Sequence, residues 1–285
     1  MQYYTPESFS EASELSKNAE GIIRFLAGGT DVLVQLRSDI TIPDVLIDIK
    51  KIPDVKKIKK NPDGSWCIGA AVCGAELNEH EGIKSDWPGV VEAMDLIGST
   101  QIQGRATLVG NLCNGSPAAD SVPALMAAGA TATVINSSGS RKVSIEKIPH
   151  SPGRTTLGKG EVVSAINLPA QKPNSGDAYL RLIPRTEMDI AVVGCGINLT
   201  LEGDKISEAR VSLGAVTPTV ILVDDAAKAI TGKQLDEQTL EALAEAARKA
   251  CNPISDRRGT IEYRTHIAGV LAKRAAKIAY ERARS

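Results

Sequence analysis

Aromatic residues are scarce in this chain of 285 residues, since phenylalanine, tyrosine and tryptophan together make up only 3%. Basic and acidic residues nearly cancel, 33 against 34, which leaves a formal net charge of −1. Proteins that bind single-stranded nucleic acid combine a basic groove with aromatic side chains on which bases stack. The composition therefore gives no support to nucleic-acid binding.

Long apolar runs are also missing, and no stretch approaches the ~20 residues that a membrane-spanning helix needs. The N-terminus has no basic segment followed by an apolar core, so no signal peptide is predicted. The five cysteines show no Cys-x-x-Cys spacing, which argues against a metal or iron–sulfur site in this chain. An odd, scattered set of cysteines suits a reducing compartment, and we expect a cytoplasmic protein.

Residues for acid–base or nucleophilic catalysis are few. The three histidines, His80, His150 and His266, lie far apart in the sequence. No His-Glu-x-x-His motif, Ser/His/Asp arrangement or paired-carboxylate motif is visible. Redox chemistry by a bound cofactor needs none of these, because the protein then supplies binding, orientation and electrostatics. No catalytic residue is predicted.

A glycine pair between a predicted strand and a predicted helix is the first informative feature. The segment Leu26 to Asp31 (LAGGTD) follows the apolar residues Ile22, Ile23 and Phe25 and precedes a helical run that starts at Val32. Glycine lets a backbone approach a ligand closely, and a helix start offers unpaired N–H groups to an anion. The pattern suits a phosphate, with a tight turn that binds nothing as the alternative.

A second stretch combines glycine, amide and hydroxyl groups. The segment Thr107 to Asn111 (TLVGN) follows residues without a clear helical or strand period and runs on into Ser116 to Asp120 (SPAAD). The Ser-Pro pair and the aspartate indicate a turn at the start of a helix. Two loops of this kind would grip a pyrophosphate from both sides. For Asp120, capping of that helix and contact with a ligand remain alternatives.

These AGGTD, T-x-x-GN and SPAAD segments, in this order, closely resemble the FAD-binding medium subunit of the molybdenum hydroxylases. That family includes the flavin subunits of bacterial xanthine, nicotinate and carbon monoxide dehydrogenases, and the resemblance covers essentially the whole chain. It implies an α+β fold, with a two-part FAD-binding domain of the PCMH type followed by a smaller domain that has a three-stranded antiparallel sheet and helices. The polar, turn-rich segment 170–177 places the boundary, which predicts domains at 1–174 and 175–285.

The resemblance also implies which residues bind FAD, and it implies no metal site in this chain. Attachment should be non-covalent, because neither histidine nor cysteine lies inside a flavin motif. Val109 departs from the family pattern, which usually has glycine there, and adds a β-branched side chain where backbone approaches phosphate. The expected cofactor-binding residues are Leu26, Ala27, Gly28, Gly29, Thr30, Asp31, Val32, Thr107, Gly110, Asn111, Ser116, Ala118, Asp120, Val163, Arg181 and Ile190.

Three of these residues have more specific implied roles. Val163 would contact the flavin through its backbone, and Arg181 would place a cation near the ring, with a partner-facing salt bridge as the alternative. Ile190 lies in a segment that matches the loop beside the isoalloxazine, and would gate access to the ring.

The implied function is that of an electron-transfer subunit in a xanthine dehydrogenase-like oxidoreductase. Such a subunit works beside a large molybdenum-cofactor subunit and a small subunit with 2Fe-2S clusters, in a dimer of heterotrimers. Electrons reach NAD⁺ or another acceptor through FAD, and the AGGTD loop suggests a purine or another N-heterocycle as the substrate of the complex. A self-sufficient flavin oxidase and a scaffold subunit without flavin are the alternatives.

Overall fold

The computed structural model describes residues 1–285 without a break and mixes strands and helices along the whole chain. None of the helices combines the length and the hydropathy that crossing a membrane requires. The strands are β1 (Gln2–Tyr4), β2 (Ile23–Leu26), β3 (Val45–Asp48), β4 (Ile58–Lys60), β5 (Trp66–Gly69), β6 (Thr131–Asn136), β7 (Gly139–Ser144), β8 (Pro149–Ser151), β9 (Arg154–Thr155), β10 (Val162–Leu168), β11 (Ser175–Leu182), β12 (Val193–Glu202), β13 (Lys205–Gly214) and β14 (Ile221–Leu222). The helices are α1 (Phe9–Asn18), α2 (Val32–Arg37), α3 (Gly74–Asn78), α4 (Glu81–Asp86), α5 (Pro88–Asp95), α6 (Thr100–Gln103), α7 (Leu108–Cys113), α8 (Ser121–Ala127), α9 (Asp224–Ile230), α10 (Glu237–Lys249) and α11 (Ile261–Arg284).

The N-terminal part begins with a parallel three-stranded sheet in the order β1-β3-β2. Helix α1 contacts this sheet and also strands β6 and β10 of the next one. Ser8 caps α1 by accepting a hydrogen bond from the Glu11 N–H at 3.1 Å. Strand β2 lies at the edge of the sheet, and its carboxyl end runs into the LAGGTD segment, the end of a parallel strand where ligands commonly bind.

The second sheet has five antiparallel strands in the order β4-β5-β10-β6-β7. Central strand β10 changes register against β6 between Val163 and Ala165, which is a β-bulge. Both N-terminal sheets share one hydrophobic cluster of 40 buried residues with helices α3, α5, α7 and α8. This shared core fixes the two sheets relative to each other.

The C-terminal sheet is antiparallel in the order β11-β12-β13-β14, and α11 packs on β11 and β12. The predicted α+β fold class is confirmed, but the expected count of three strands is one short. The fourth strand has only the two residues Ile221 and Leu222, which pair with Leu213 and Ser212. So short a strand leaves no alternating pattern in the sequence. The last three residues of the predicted boundary segment 170–177 already belong to β11, which begins at Ser175.

The C-terminal sheet also packs against the N-terminal part through α5 and α8. Tyr179 of β11 is 2% exposed and belongs to the N-terminal hydrophobic cluster. Arg282 of α11 pairs with Glu92 of α5. Next to this pair lies the buried Asp177 carboxyl group; burial raises its pKa to about 7, although the nearby N–H groups of Gly89 and Val90 favour its charged form. The boundary at residue 174 stays a prediction.

Candidate flavin-binding cleft

A cleft of about 570 Å³ lies between the first sheet and the α7–β10 region of the second. Its volume is within the ~300–1,000 Å³ typical of small-molecule sites. Both glycine-bearing segments reach it, although they are far apart in the sequence. The predicted residues that line it are Ala27, Gly28, Gly29, Thr30, Asp31, Val32, Thr107, Gly110, Asn111 and Val163.

The LAGGTD segment offers an unusual number of free donors to this cleft. None of the backbone N–H groups of residues 27–31 donates a hydrogen bond within the chain, and the first bond of α2 runs from Leu33 N–H to the Gly29 carbonyl. Asp31 precedes α2 without capping it through its side chain. Gly29 has φ +80°, a conformation that glycine adopts without strain. Such a row of unpaired N–H groups is suited to a phosphate.

Gly28 is required for a different reason. A Cβ atom on Gly28 would lie 2.0 Å from the Arg105 carbonyl oxygen, so the two backbones meet there without room for a side chain. The Arg105 Nε donates to the Gly28 carbonyl at 3.3 Å. This contact fastens the first segment to the residues just before Thr107. The absence of a side chain at Gly28 therefore allows the two segments to lie in direct backbone contact without a ligand.

The second segment is helical, which corrects the prediction of an irregular loop. Gly110 and Asn111 lie inside α7, whose start is capped by Thr107: its Oγ1 accepts from the Gly110 N–H at 2.9 Å. The N–H groups of Leu108 and Val109 remain unpaired. The sequence pattern missed α7 because the helix is only six residues long and contains a glycine. Its first turn nonetheless supplies the free donors that the prediction required.

Val109, the departure from the family pattern, is 7% exposed and belongs to the N-terminal hydrophobic cluster. Its β-branched side chain therefore packs into the core.

The Asn111 side chain caps the start of α8, a role that the sequence had suggested for Asp120. The Asn111 Oδ1 accepts from the Ser121 N–H at 3.1 Å and from the Ser121 hydroxyl at 2.7 Å. Asp120 makes no capping bond to α8. The capping interpretation of Asp120 is therefore wrong, and its carboxylate is available for other partners.

Those partners come from β11 of the C-terminal sheet. The Asp120 carboxylate accepts from the Arg181 guanidinium at 2.9 Å and from the Tyr179 hydroxyl at 3.0 Å. Burial raises the pKa of Asp120, while Arg181 and Tyr179 oppose the rise by favouring its charged form. The Arg181 side chain is 3% exposed, and its Nε has no hydrogen-bond partner.

Six predicted residues lie outside the lining of the cleft, and Asp120 and Arg181 are two of them. Leu26 is buried beneath the glycine segment, against Gly29. The Ser116 hydroxyl accepts from the Ala118 N–H at 3.2 Å and shapes the turn before α8. Ile190 is 52% exposed, in a loop whose Met188 N–H donates to the Gly98 carbonyl at 3.2 Å. No residue of that loop lines the cleft, although Ile97, which precedes Gly98 in the sequence, does.

Two cations in the lining were not predicted from the sequence, Arg24 of β2 and Lys159 of the segment before β10. The Gly-Lys-Gly-Glu pattern at 158–161 signals a turn. Its position in the lining of the cleft depends on sheet pairing that the sequence does not reveal. No group of three or more histidine, cysteine or acidic side chains is arranged to hold a metal ion.

Free backbone donors at two helix starts, in a cleft of nucleotide size, define a nucleotide-binding protein. Residues 1–171 match the family described as the FAD binding domain in molybdopterin dehydrogenase. Residues 178–279 match the CO dehydrogenase flavoprotein C-terminal domain. The chain belongs to the FAD-binding medium-subunit family of the molybdenum hydroxylases.

Individual relatives cover nearly the whole chain. The putative xanthine dehydrogenase FAD-binding subunit of Escherichia coli is 32% identical over 88% of this chain and 86% of its own length. The carbon monoxide dehydrogenase medium chain of Hydrogenophaga pseudoflava is 30% identical over 99% of this chain and 98% of its own. A solved structure of carbon monoxide dehydrogenase from that organism superposes with a TM-score of 0.95 at 30% identity, covering 99% of this chain and 98% of the matched one.

Proposed function

We propose that this chain is the electron-transfer subunit of a molybdenum hydroxylase that acts on a purine or another N-heterocycle. The observation that carries the proposal is the row of unpaired N–H groups in residues 27–31, which lines one cleft together with the capped start of α7. Unpaired N–H groups at helix starts bind phosphate, and FAD is a dinucleotide with a diphosphate at its centre.

The residues of the chain fit FAD without further groups. Residues Leu26 to Val32, with Thr107, Gly110 and Asn111, would hold the nucleotide by backbone and amide donors. Val163 would contact the flavin from the lining of the cleft, whereas Ser116, Ala118, Asp120, Arg181 and Ile190 lie outside that lining and would contact a flavin end that extends beyond it. We expect non-covalent attachment, because neither histidine nor cysteine lies inside the glycine-bearing segments. The buried Arg181 Nε is a donor for that end. Bound FAD would supply the reversible redox chemistry.

The Asp120–Arg181 pair would set the electrostatics of the flavin end. A buried guanidinium stabilises negative charge that develops nearby, because little water screens it. Asp120 offsets part of that charge and orients the planar guanidinium, with Tyr179 completing the group. In this proposal the pair stabilises the reduced, more negatively charged form of FAD relative to the oxidised form, because its charges are already in place before reduction.

The partners follow from the same proposal. A large molybdenum-cofactor subunit and a small subunit with 2Fe-2S clusters would complete a dimer of heterotrimers in the cytoplasm. The complex would oxidise its substrate at molybdenum, and this subunit would pass electrons to NAD⁺ or another acceptor. Relatives of similar identity carry names that refer to xanthine and to carbon monoxide, so the N-heterocycle rests mainly on the AGGTD segment.

Expression of the full chain alone tests the proposal. The purified protein should be yellow, release FAD on denaturation and accept electrons slowly from artificial donors, yet hydroxylate no heterocycle. Addition of the two partner subunits should restore flavin reduction by substrate. A colourless, stable protein that refuses FAD would make the chain a scaffold. Turnover of an organic substrate by the isolated chain at roughly 1–1,000 per second would make it a self-sufficient oxidase.

A further inference from the structure

Lys159 occupies a rigid turn at the edge of the proposed flavin cleft. The turn comprises residues 158–161, and the Glu161 N–H donates to the Gly158 carbonyl at 3.0 Å. Gly160 has φ +83°, which is the third-position conformation of a type II turn. Lys159 is therefore the second residue of the turn and projects from its tip.

Both flanks of this turn are fastened to the body of the protein. The Glu161 carboxylate accepts from the Gly158 N–H at 2.9 Å and from both Nε and Nη2 of Arg141. On the other side, the Ser13 hydroxyl of α1 donates to the Gly160 carbonyl at 2.6 Å. The turn thus holds Lys159 at one place on the cleft.

The ammonium group of Lys159 has no partner within the chain. It takes part in no ion pair or hydrogen bond, and the nearest acid in sequence, Glu161, is already occupied by Arg141. The other cation in the lining, Arg24, donates to the Ile23 carbonyl at 3.2 Å. An unpaired lysine in the lining of a cleft that is proposed to bind a diphosphate is available for that anion.

The charged side chains that line the cleft favour binding of an anion by Lys159. Its acidic side chains are Asp31 and Glu161, and only Glu161 is neutralised by a side chain outside the lining, Arg141. The backbone donors of residues 27–31 are dipoles and carry no net charge. A diphosphate would add two negative charges to a cleft that already holds the Asp31 carboxylate, with Arg24 and Lys159 as its two cations, so the Lys159 ammonium group lowers the electrostatic cost of binding.

We infer that Lys159 binds the diphosphate of the flavin nucleotide and contributes to its retention. The inference rests on the proposed function and adds a residue that lies outside the glycine-bearing motifs. An ammonium on a flexible stem acts on phosphate as a point charge. The contribution should therefore depend on the charge of residue 159 and on the phosphates of the ligand, and little on adenosine or on the fold.

Apoprotein of the full chain, titrated with FAD, tests the inference. Lys159→Ala should raise the dissociation constant for FAD by about threefold to tenfold, as expected for a partly exposed lysine–phosphate contact. Lys159→Glu should raise it further, and Lys159→Arg should stay close to wild type. The matched control is Lys17→Ala: Lys17 packs beside Gly160 but does not line the cleft.

Competition with two smaller ligands separates a phosphate contact from a structural effect. ADP should lose affinity for Lys159→Ala by about the same factor as FAD, whereas adenosine should bind wild type and variant alike. The thermal midpoint should not change, since Lys159 is exposed and unpaired. Equal FAD affinity of Lys159→Ala and Lys17→Ala, or an equal loss for adenosine and ADP, would overturn the inference. Wild-type apoprotein that binds no FAD would instead overturn the proposed function.

Discussion

Asn111 carries two chemical tasks on one side chain. Its Oδ1 accepts both bonds from Ser121 and so begins α8, while its amide nitrogen has no partner within the chain. The residue also lines the cleft. Its oxygen therefore stabilises the start of α8, and its NH₂ group is free to bind a ligand. Substitutions that change only one of these two groups can test the two roles separately.

Replacement of Asn111 by aspartate keeps the oxygen that caps α8 and replaces the NH₂ donor by a negative charge. We expect Asn111→Asp to unfold at nearly the wild-type temperature but to lose most of its FAD, because the carboxylate repels a diphosphate. Asn111→Ala should lose the cap as well, at a cost of about 0.5–2 kcal/mol. Thermal midpoints and the ratio of flavin to protein measure both effects. Full flavin content in Asn111→Asp would remove the residue from the binding site.

Asp177 is a buried acid whose pKa is raised to about 7 by burial, despite the N–H groups of Gly89 and Val90. One of its oxygens, Oδ1, has no hydrogen-bond partner. The folded protein therefore binds a proton at Asp177 that the unfolded chain has already released between about pH 4 and 7. Stability from this group is present below that range and is lost as the pH rises through it.

Asp177→Asn removes this proton uptake. Wild type should lose stability between pH 5 and pH 8 by on the order of 2–3 kcal/mol more than the variant does, measured by urea unfolding. Asp225→Asn is the control, because Asp225 is exposed on α9 and its pairing with Lys228 is solvated. Identical pH dependence in wild type and Asp177→Asn would show that Asp177 is ionised throughout.

Longer elements were predictable from the sequence and shorter ones were not. The capping serine before α1 and the turn at Gly203 are local signals in the sequence, and the structure has a ten-residue helix and a long hairpin at these places. Helix α7 has no such signal, because six residues with a glycine give no apolar period. Strand β14 exists only through its pairing with β13. Tertiary contacts decide these short elements.

The residues of the candidate site also fall into two groups, those with a local sequence signal and those placed by tertiary contacts. Motifs identified the segments at 26–32 and 107–111, because their chemistry is local to each stretch. The partnership of Asp120 with Tyr179 and Arg181 depends on docking of β11 against the start of α8. Lys159 reaches the cleft through the position of the turn before β10. Contacts of this kind across the chain leave no mark in a single sequence.

The loop from 185 to 190 is held by one buried carboxylate. The Asp189 side chain is 6% exposed and pairs with Arg185 and with Arg258, both at 3.2 Å. It also accepts from the Ile190 N–H at 2.8 Å. The loop is therefore tied through Arg258 to the residues before α11, and these contacts fix the position of Ile190.

Asp189→Ala should release this loop while leaving the sheets intact. We expect trypsin to cleave after Arg185 roughly threefold or more faster than in wild type, because local opening then costs less free energy. Mass spectrometry of timed digests identifies the cut, and Asp225→Ala serves as a surface control. An unchanged cleavage rate at Arg185 would mean that other contacts, such as Met188 N–H with Gly98, hold the loop.

The two parts of the molecule have separate hydrophobic clusters, of 40 and 24 buried residues. Their separation is incomplete, because Tyr179 and Val220 from the C-terminal part belong to the N-terminal cluster. The buried Arg181 also crosses between them to reach Asp120. The expected flavin site is thus shared, with its nucleotide end in one part and its charged pair spanning both.

A chain cut after residue 174 tests this dependence. It loses Tyr179, whose removal from a buried position costs on the order of 3–5 kcal/mol, against a total stability of about 5–15 kcal/mol for a typical domain. It also leaves Asp120 without Arg181. We therefore expect the fragment 1–174 to unfold without a sharp transition and to retain no FAD, whereas the full chain unfolds in one step. Supply of residues 175–285 as a separate chain should restore part of the FAD binding, since the lost contacts are non-covalent. A fragment 1–174 that unfolds cooperatively and holds FAD as tightly as the full chain would show that the N-terminal part is a self-sufficient domain.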